Sequence, residues 1–159
     1  MKFPQVTAIV FIAFNFSFDA SAQDALKPEA AKIEGVIDLK FDDLKFEMAK
    51  DAKFERKMLV DKIERLNGAK VKFTGGQIFP ASVYQREGIK WFVLVSDTKK
   101  CGLPPDPLCE LIRVEMVGEA TAAFTTKPIT VEGQFEIREW GIVNGRPMAV
   151  YHIKATTAK

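Results

Sequence analysis

Cys101 and Cys109 are the only cysteines in this 159-residue chain, and His152 is its only histidine. The two thiols bracket the segment Gly102-Leu103-Pro104-Pro105-Asp106-Pro107-Leu108. In an oxidising compartment, two cysteines of a short exported domain usually bridge. Closing a loop of about 9 residues is worth roughly 2.6 kcal/mol in the chain-entropy picture, less where prolines already stiffen the chain. The expected state is therefore a disulfide. Thiol-disulfide exchange is an alternative, although the Cys-x-x-Cys spacing usual for that chemistry is absent. A zinc or copper site built from Cys101, Cys109 and His152 is another, and it needs reduced thiols and one more donor.

Other reaction chemistries find less in the chain. His152 sits between Tyr151 and Ile153 in an apolar run, as an ordinary strand residue would. Ser82 and Ser96 lack the nucleophile elbow and glycine-rich oxyanion loop that serine hydrolysis requires. Asp42, Asp43, Glu110, Glu115, Glu119 and Glu132 are spaced as helix caps and outward strand residues, not as an acid and base flanking a sugar. There is no phosphate loop and no GxGxxG between a strand and a helix. The reading is a non-enzyme without cofactor. Candidate binding residues are the aromatics Tyr84, Trp91 and Phe92, the stretch from Tyr84 to Glu87, and Pro104, Pro105 and Asp106 of the proline-rich loop.

The N-terminus carries Lys2, an apolar stretch from Val6 to Phe18, and then Ala20-Ser21-Ala22, the pattern of a cleavable signal peptide over 1–22. The apolar stretch falls short of the roughly 20 residues needed to span a bilayer. Export to the periplasm or beyond, with no transmembrane segment in the mature chain, is the expectation. Residues 23–159 suffice for one domain with its own core. With 23 basic against 21 acidic residues, the net charge of +2 opposes phosphate-backbone binding as the main task. The partners expected are an envelope protein or a small ligand.

The elements that must position these residues follow from periodicity. Residues 23–40, rich in Ala, Lys and Glu, read as a flexible leader. Over 41–66, Leu44, Met48, Phe54, Met58, Leu59, Ile63 and Leu66 recur at spacings of three to five and predict one or two amphipathic helices, with Asp42 or Asp43 as cap and Asn67-Gly68 as terminator. From 67 the period falls to two, and five strands are predicted: 69–80, interrupted by Gly75-Gly76 as at a bulge; 89–96, apolar on both faces; 111–117; 129–137; and 148–155. Asn144-Gly145 marks the last two as a hairpin. Five short strands ending in a hairpin fit a small closed β-barrel, an OB-fold before a compact sandwich.

The segments LNGAKVKFTGGQIFP, GIKWFVLVSDTKKCGLPPDPLCELIRVEM and KPITVEGQFEI, spanning roughly Ile63 to Ile153, resemble an uncharacterised family of exported bacterial OB-fold-like domains. The shared pattern is L-G-K-x-V-x-x-x-G-x-x-x-P, an FVLV strand, a cysteine beside a proline-rich loop, and a V-x-V-x-G strand. The resemblance implies a barrel of 67–159 and export. In that family a His commonly follows the cysteine, where this chain has Gly102-Leu103-Pro104-Pro105. Together these readings describe an exported binding or adaptor module that uses the loop 101–109 and the barrel rim.

Overall fold

Alternation in Lys70–Ile78 sends Val71 and Phe73 to one side and Lys70 and Lys72 to the other, and this strand organises the molecule. The structure is a computed structural model that describes residues 35–47, 53–99, 111–143 and 146–159. Six strands form one mixed sheet: β1 (Val36–Leu39), β2 (Lys70–Ile78), β3 (Trp91–Val95), β4 (Leu111–Met116), β5 (Ile129–Val143) and β6 (Arg146–Ala158). The chain is mainly β, as its alternation predicts.

Hydrogen bonding runs β1-β2-β3-β4-β6-β5, and β5 pairs again with β2, so the ladder nearly returns on itself. The β4–β6 and β1–β2 pairs are parallel and the rest antiparallel. The predicted bulge is present: the β2–β5 register shifts between Thr74 and Gly76. Gly75 there has φ +94°, a conformation that favours glycine. The predicted hairpin is also present and longer than expected, with Val143 paired to Arg146 across the two-residue link 144–145.

Two features differ from the sequence reading. Leader composition continues to residue 40, yet Val36–Leu39 adds to β2 in parallel and buries Leu39. Four residues are too few for a periodic signal to stand out. In 41–66 the described residues form short turns instead of amphipathic helices: 3-10 turns at Phe41–Leu44 and Arg56–Met58, and one α turn, α1, at Asp61–Glu64. Extended residues at Lys45, Leu59 and Val60 separate them. A spacing of three to five suits turns laid against a core as well as it suits a helix.

Those turns belong to the main core. Phe41, Leu44, Phe54, Leu59, Ile63 and Leu66 are buried with the inward residues of the strands. Phe41 meets Phe73 edge-on at 4.8 Å, and the buried Tyr151 hydroxyl donates to the Leu44 carbonyl at 2.8 Å. At the end of α1, Gly68 N–H donates to Phe135 O and Asn67 Oδ1 accepts from Ile137 N–H, joining the turn to β5. Among the described residues no helix is long and apolar enough to cross a membrane.

The sheet is also covered in part on its other face. Phe92 and Leu94 point into the main core, while Val93 and Val95 pack with Phe79, Leu111 and Ala149 in a second cluster that Trp140 and Met148 flank. Strand β3 is therefore covered on both sides, as its unbroken apolar run predicts.

Candidate functional site

Along β4, alternation buries Ile112, Val114 and Met116 in the core and leaves Arg113 and Glu115 on the opposite face. The same rule on β6 buries Tyr151 and Ile153 and turns His152 outward, and on β5 it buries Phe135 and turns Glu136 outward. Register then brings these residues together. Arg113 stands opposite His152 across β4–β6, His152 opposite Glu136 across β6–β5, and Trp91 opposite Glu115 across β3–β4. A register shift between Ile137 and Trp140 re-aims the end of β5, as bulges do, and Trp140 comes to lie beside Trp91 with ring centroids 6.2 Å apart.

The Arg113 guanidinium lies against both indoles, 5.5 Å from the Trp91 ring centre and 5.0 Å from that of Trp140. Its Nε is buried without a hydrogen-bond partner. His152, only 2% exposed although it faces away from the main core, is in the same position at both ring nitrogens. Glu115 Oε2 lies 3.4 Å from Nε2 and Glu136 Oε2 lies 3.4 Å from Nδ1, ion-pair contacts at the long limit for a hydrogen bond. Burial pushes the His152 pKa down, assisted by the Arg113 charge and opposed by the two glutamates. Glu136 is held below the usual carboxylate range, first by Lys154, whose Nζ is 2.6 Å from its Oε1, and then by His152. A cavity of about 100 Å³ opens here, lined by Arg113, Glu115, Arg138, Glu139, Trp140 and His152.

A second, shallower depression of about 190 Å³ borders Trp91. Tyr84, Gln85, Lys90 and Trp91 line it. Tyr84 is 98% exposed and Trp91 38%, so the structure brings together two of the three aromatics that the sequence singles out. Phe92 is a correction: it is fully buried, because the strand alternation that exposes Trp91 turns its neighbour into the core. Ser82 is structural, its hydroxyl donating to Phe79 O at 2.6 Å and accepting from Val93 N–H at 3.1 Å.

Cys101, Cys109, Pro104, Pro105 and Asp106 lie outside the described residues, and so does the signal-peptide stretch 1–22. His152 has glutamates on opposite edges of its ring, an arrangement in which no single ion could meet both. Among the described residues no group of three or more His, Cys, Asp or Glu could hold a metal ion.

Sequence reasoning did not find Arg113, Glu136, Arg138 or Trp140. They meet His152 and Trp91 only through strand register, and Trp140 falls beyond the point where simple alternation in β5 stops. A usable signal exists in the charged residues Arg113 and Glu115 flanked by buried neighbours, and in a lone His within an apolar strand.

No family model matches the chain, and no curated protein matches it. A solved structure similar in fold is a DUF3299 family protein from Pseudomonas aeruginosa PAO1, which is 16% identical, with 79% of this chain and 95% of that chain covered at a TM-score of 0.49.

Proposed function

We propose that this chain is an exported, non-enzymatic binding module whose contact surface is the β3 side of an OB-fold-like barrel, with the β3–β4 connection containing residues 101–109 as a second contact element. Export rests on Lys2, the apolar stretch 6–18 and Ala20-Ser21-Ala22. The barrel reading is supported by the circuit β2-β3-β4-β6-β5-β2, five strands whose ladder leaves few free edges. The observation that carries the binding reading is Tyr84. A tyrosine 98% exposed beside a half-exposed tryptophan and a depression of about 190 Å³ is what a recognition surface presents, because aromatic side chains supply large contact area at small entropic cost.

The test compares capture from envelope extract by the wild type, by Tyr84→Ala with Trp91→Ala, and by a chain lacking residues 102–108. Mass spectrometry identifies what each retains. Selective loss of the same species in the aromatic variant supports the surface, and loss in the deletion variant adds the connection to it. Equal recovery by all three removes both from the proposal.

A further inference from the structure

Trp140, the one histidine of this chain and the half-buried Arg113 line one small cavity on the outer face of β4, β5 and β6, and Trp91 packs beside it against Arg113 and Trp140. Three buried nitrogen atoms there, Arg113 Nε and His152 Nδ1 and Nε2, have no hydrogen-bond partner. Buried polar groups are nearly always satisfied, so such a cluster beside a cavity marks a place where water or a polar ligand completes the bonding.

The lining specifies the chemistry of that ligand. Arg113 and Arg138 contribute two positive charges, Glu115 and Glu139 two negative ones, all around the same space. An anion drawn to the guanidinium groups would meet the carboxylates, and a cation the reverse. A group that donates and accepts at once, without net charge, meets neither objection. A hydroxyl does so, and two adjacent hydroxyls can bond a planar guanidinium and a carboxylate together. Size agrees: a 150 Å³ cavity holds benzene, so about 100 Å³ holds roughly four heavy atoms, the content of one vicinal diol. The lining indole Trp140 offers an apolar wall for the C–H face of a ring that carries such a diol, and Trp91 packs beside that indole.

We infer that the cavity among Arg113, His152, Glu139 and Trp140 binds a neutral polyhydroxylated ligand, a sugar residue whose vicinal hydroxyls enter it while its ring packs on tryptophan. The inference rests on the binding-module reading and names a ligand class for the same side of the sheet.

The test uses the full chain, with methyl glucoside, methyl galactoside and N-acetylglucosamine as probes and acetate and inorganic phosphate as comparison ligands. Tryptophan fluorescence follows both indoles, Trp140 lining the cavity and Trp91 beside it, and the Glu139→Gln and Arg113→Met variants assign the response to the cavity. The imidazole carbon-bound proton signals of the single histidine give a second readout by NMR. The expected result is a saturable change in both readouts with at least one sugar below about 50 mM, and none with acetate or phosphate. Glu139→Gln, at an exposed position where folding is not at risk, should weaken binding about tenfold, as loss of a charge-assisted hydrogen bond does. Arg113→Met should abolish it.

No saturable response to any of the sugars overturns the inference, as does a response to acetate or phosphate in their place. A sugar response unchanged in Glu139→Gln and Arg113→Met also overturns it, by placing the sugar elsewhere. Envelope capture that depends on Tyr84 while sugars fail would leave the binding module intact and reject this ligand alone.

Discussion

Two glycines test whether the closeness of the strands at their register shifts is what the fold depends on. A methyl group on Gly76 would stand 2.4 Å from Leu94 Cγ, and one on Gly133 would stand 2.2 Å from the Lys154 carbonyl oxygen and 2.7 Å from Ala155 Cα. Ordinary carbon contacts begin near 3.5 Å, so each alanine requires a shift of about 1 Å in a close-packed interior. Overpacking of this kind costs about 1–3 kcal/mol, offset by the 0.4–1 kcal/mol that Gly→Ala removes from unfolded-state entropy. At Gly133 the obstacle is main chain, so β5 and β6 must separate and weaken ladder bonds worth about 1 kcal/mol each.

The expected losses are therefore about 1–2 kcal/mol for Gly76→Ala and 2–4 kcal/mol for Gly133→Ala, read by urea denaturation. The two clashes differ in what relieves them. Leu94→Ala alone should cost about 2–5 kcal/mol, but combined with Gly76→Ala it should cost less than the sum by at least 1 kcal/mol, because the added methyl enters the space vacated. Leu94→Ala gives Gly133→Ala no such relief. Additive losses in the first pair, or a Gly133→Ala variant within 0.5 kcal/mol of wild type, would refute the packing described here.

Tyr151→Phe removes the donor to the buried Leu44 carbonyl and should cost about 1–3 kcal/mol, measured as a lower urea midpoint at unchanged slope. His152, whose pKa is lowered in the fold, is protonated first in the unfolded chain, so stability should fall as pH drops below about 6.5. No other side chain of ordinary pKa titrates between pH 5 and 6.5, and the lowered carboxyls such as Glu136 add their losses only nearer pH 4.5 and below. Denaturation midpoints from pH 7.5 to 5 should slope in the wild type and lie flat in His152→Leu. At pH 7.5 His152→Leu should also be as stable as the wild type or more so, since it buries a methyl-rich side chain where a desolvated imidazole met carboxylates only at 3.4 Å, and it leaves Glu136 paired with Lys154.

What could be read in the chain depended on how local the cause was. Val71 with Phe73, Ile112 with Val114, and Ile129 through Ile137 announce their strands because a period of two needs only nearest neighbours. Gly75-Gly76 announced the bulge for the same reason, since a positive φ is a property of one residue. The described turns within 41–66 carry an apolar spacing that a helix satisfies equally well, and what selects turns is the sheet they lie on. Trp91 and Tyr84 were visible as aromatics, yet Phe92 was not separable from Trp91 until strand direction was known. The group of Arg113, His152, Glu136 and Trp140 is a product of register across three strands and one bulge, so no window of sequence contains it.

The contrast between the two faces of β4 and β6 ties these observations to function. On the inner face, Ile112, Val114, Tyr151 and Ile153 satisfy the core with apolar surface and one hydroxyl whose bond is made. At the adjacent positions of the same strands, Arg113 Nε and both nitrogens of His152 are buried without a hydrogen-bond partner among the described residues, an arrangement that costs about 1–3 kcal/mol per group where nothing completes it. Apolar side chains at those positions would satisfy packing better, and the small second cluster of Phe79, Val93, Val95, Leu111 and Ala149 shows that this face accepts them. Packing alone therefore does not account for Arg113 and His152, whereas the proposed recognition role would. Under that proposal the same nitrogen atoms are already desolvated, with Arg113 held against two indoles, so a ligand that completes them would gain bonds without the cost of assembling the site.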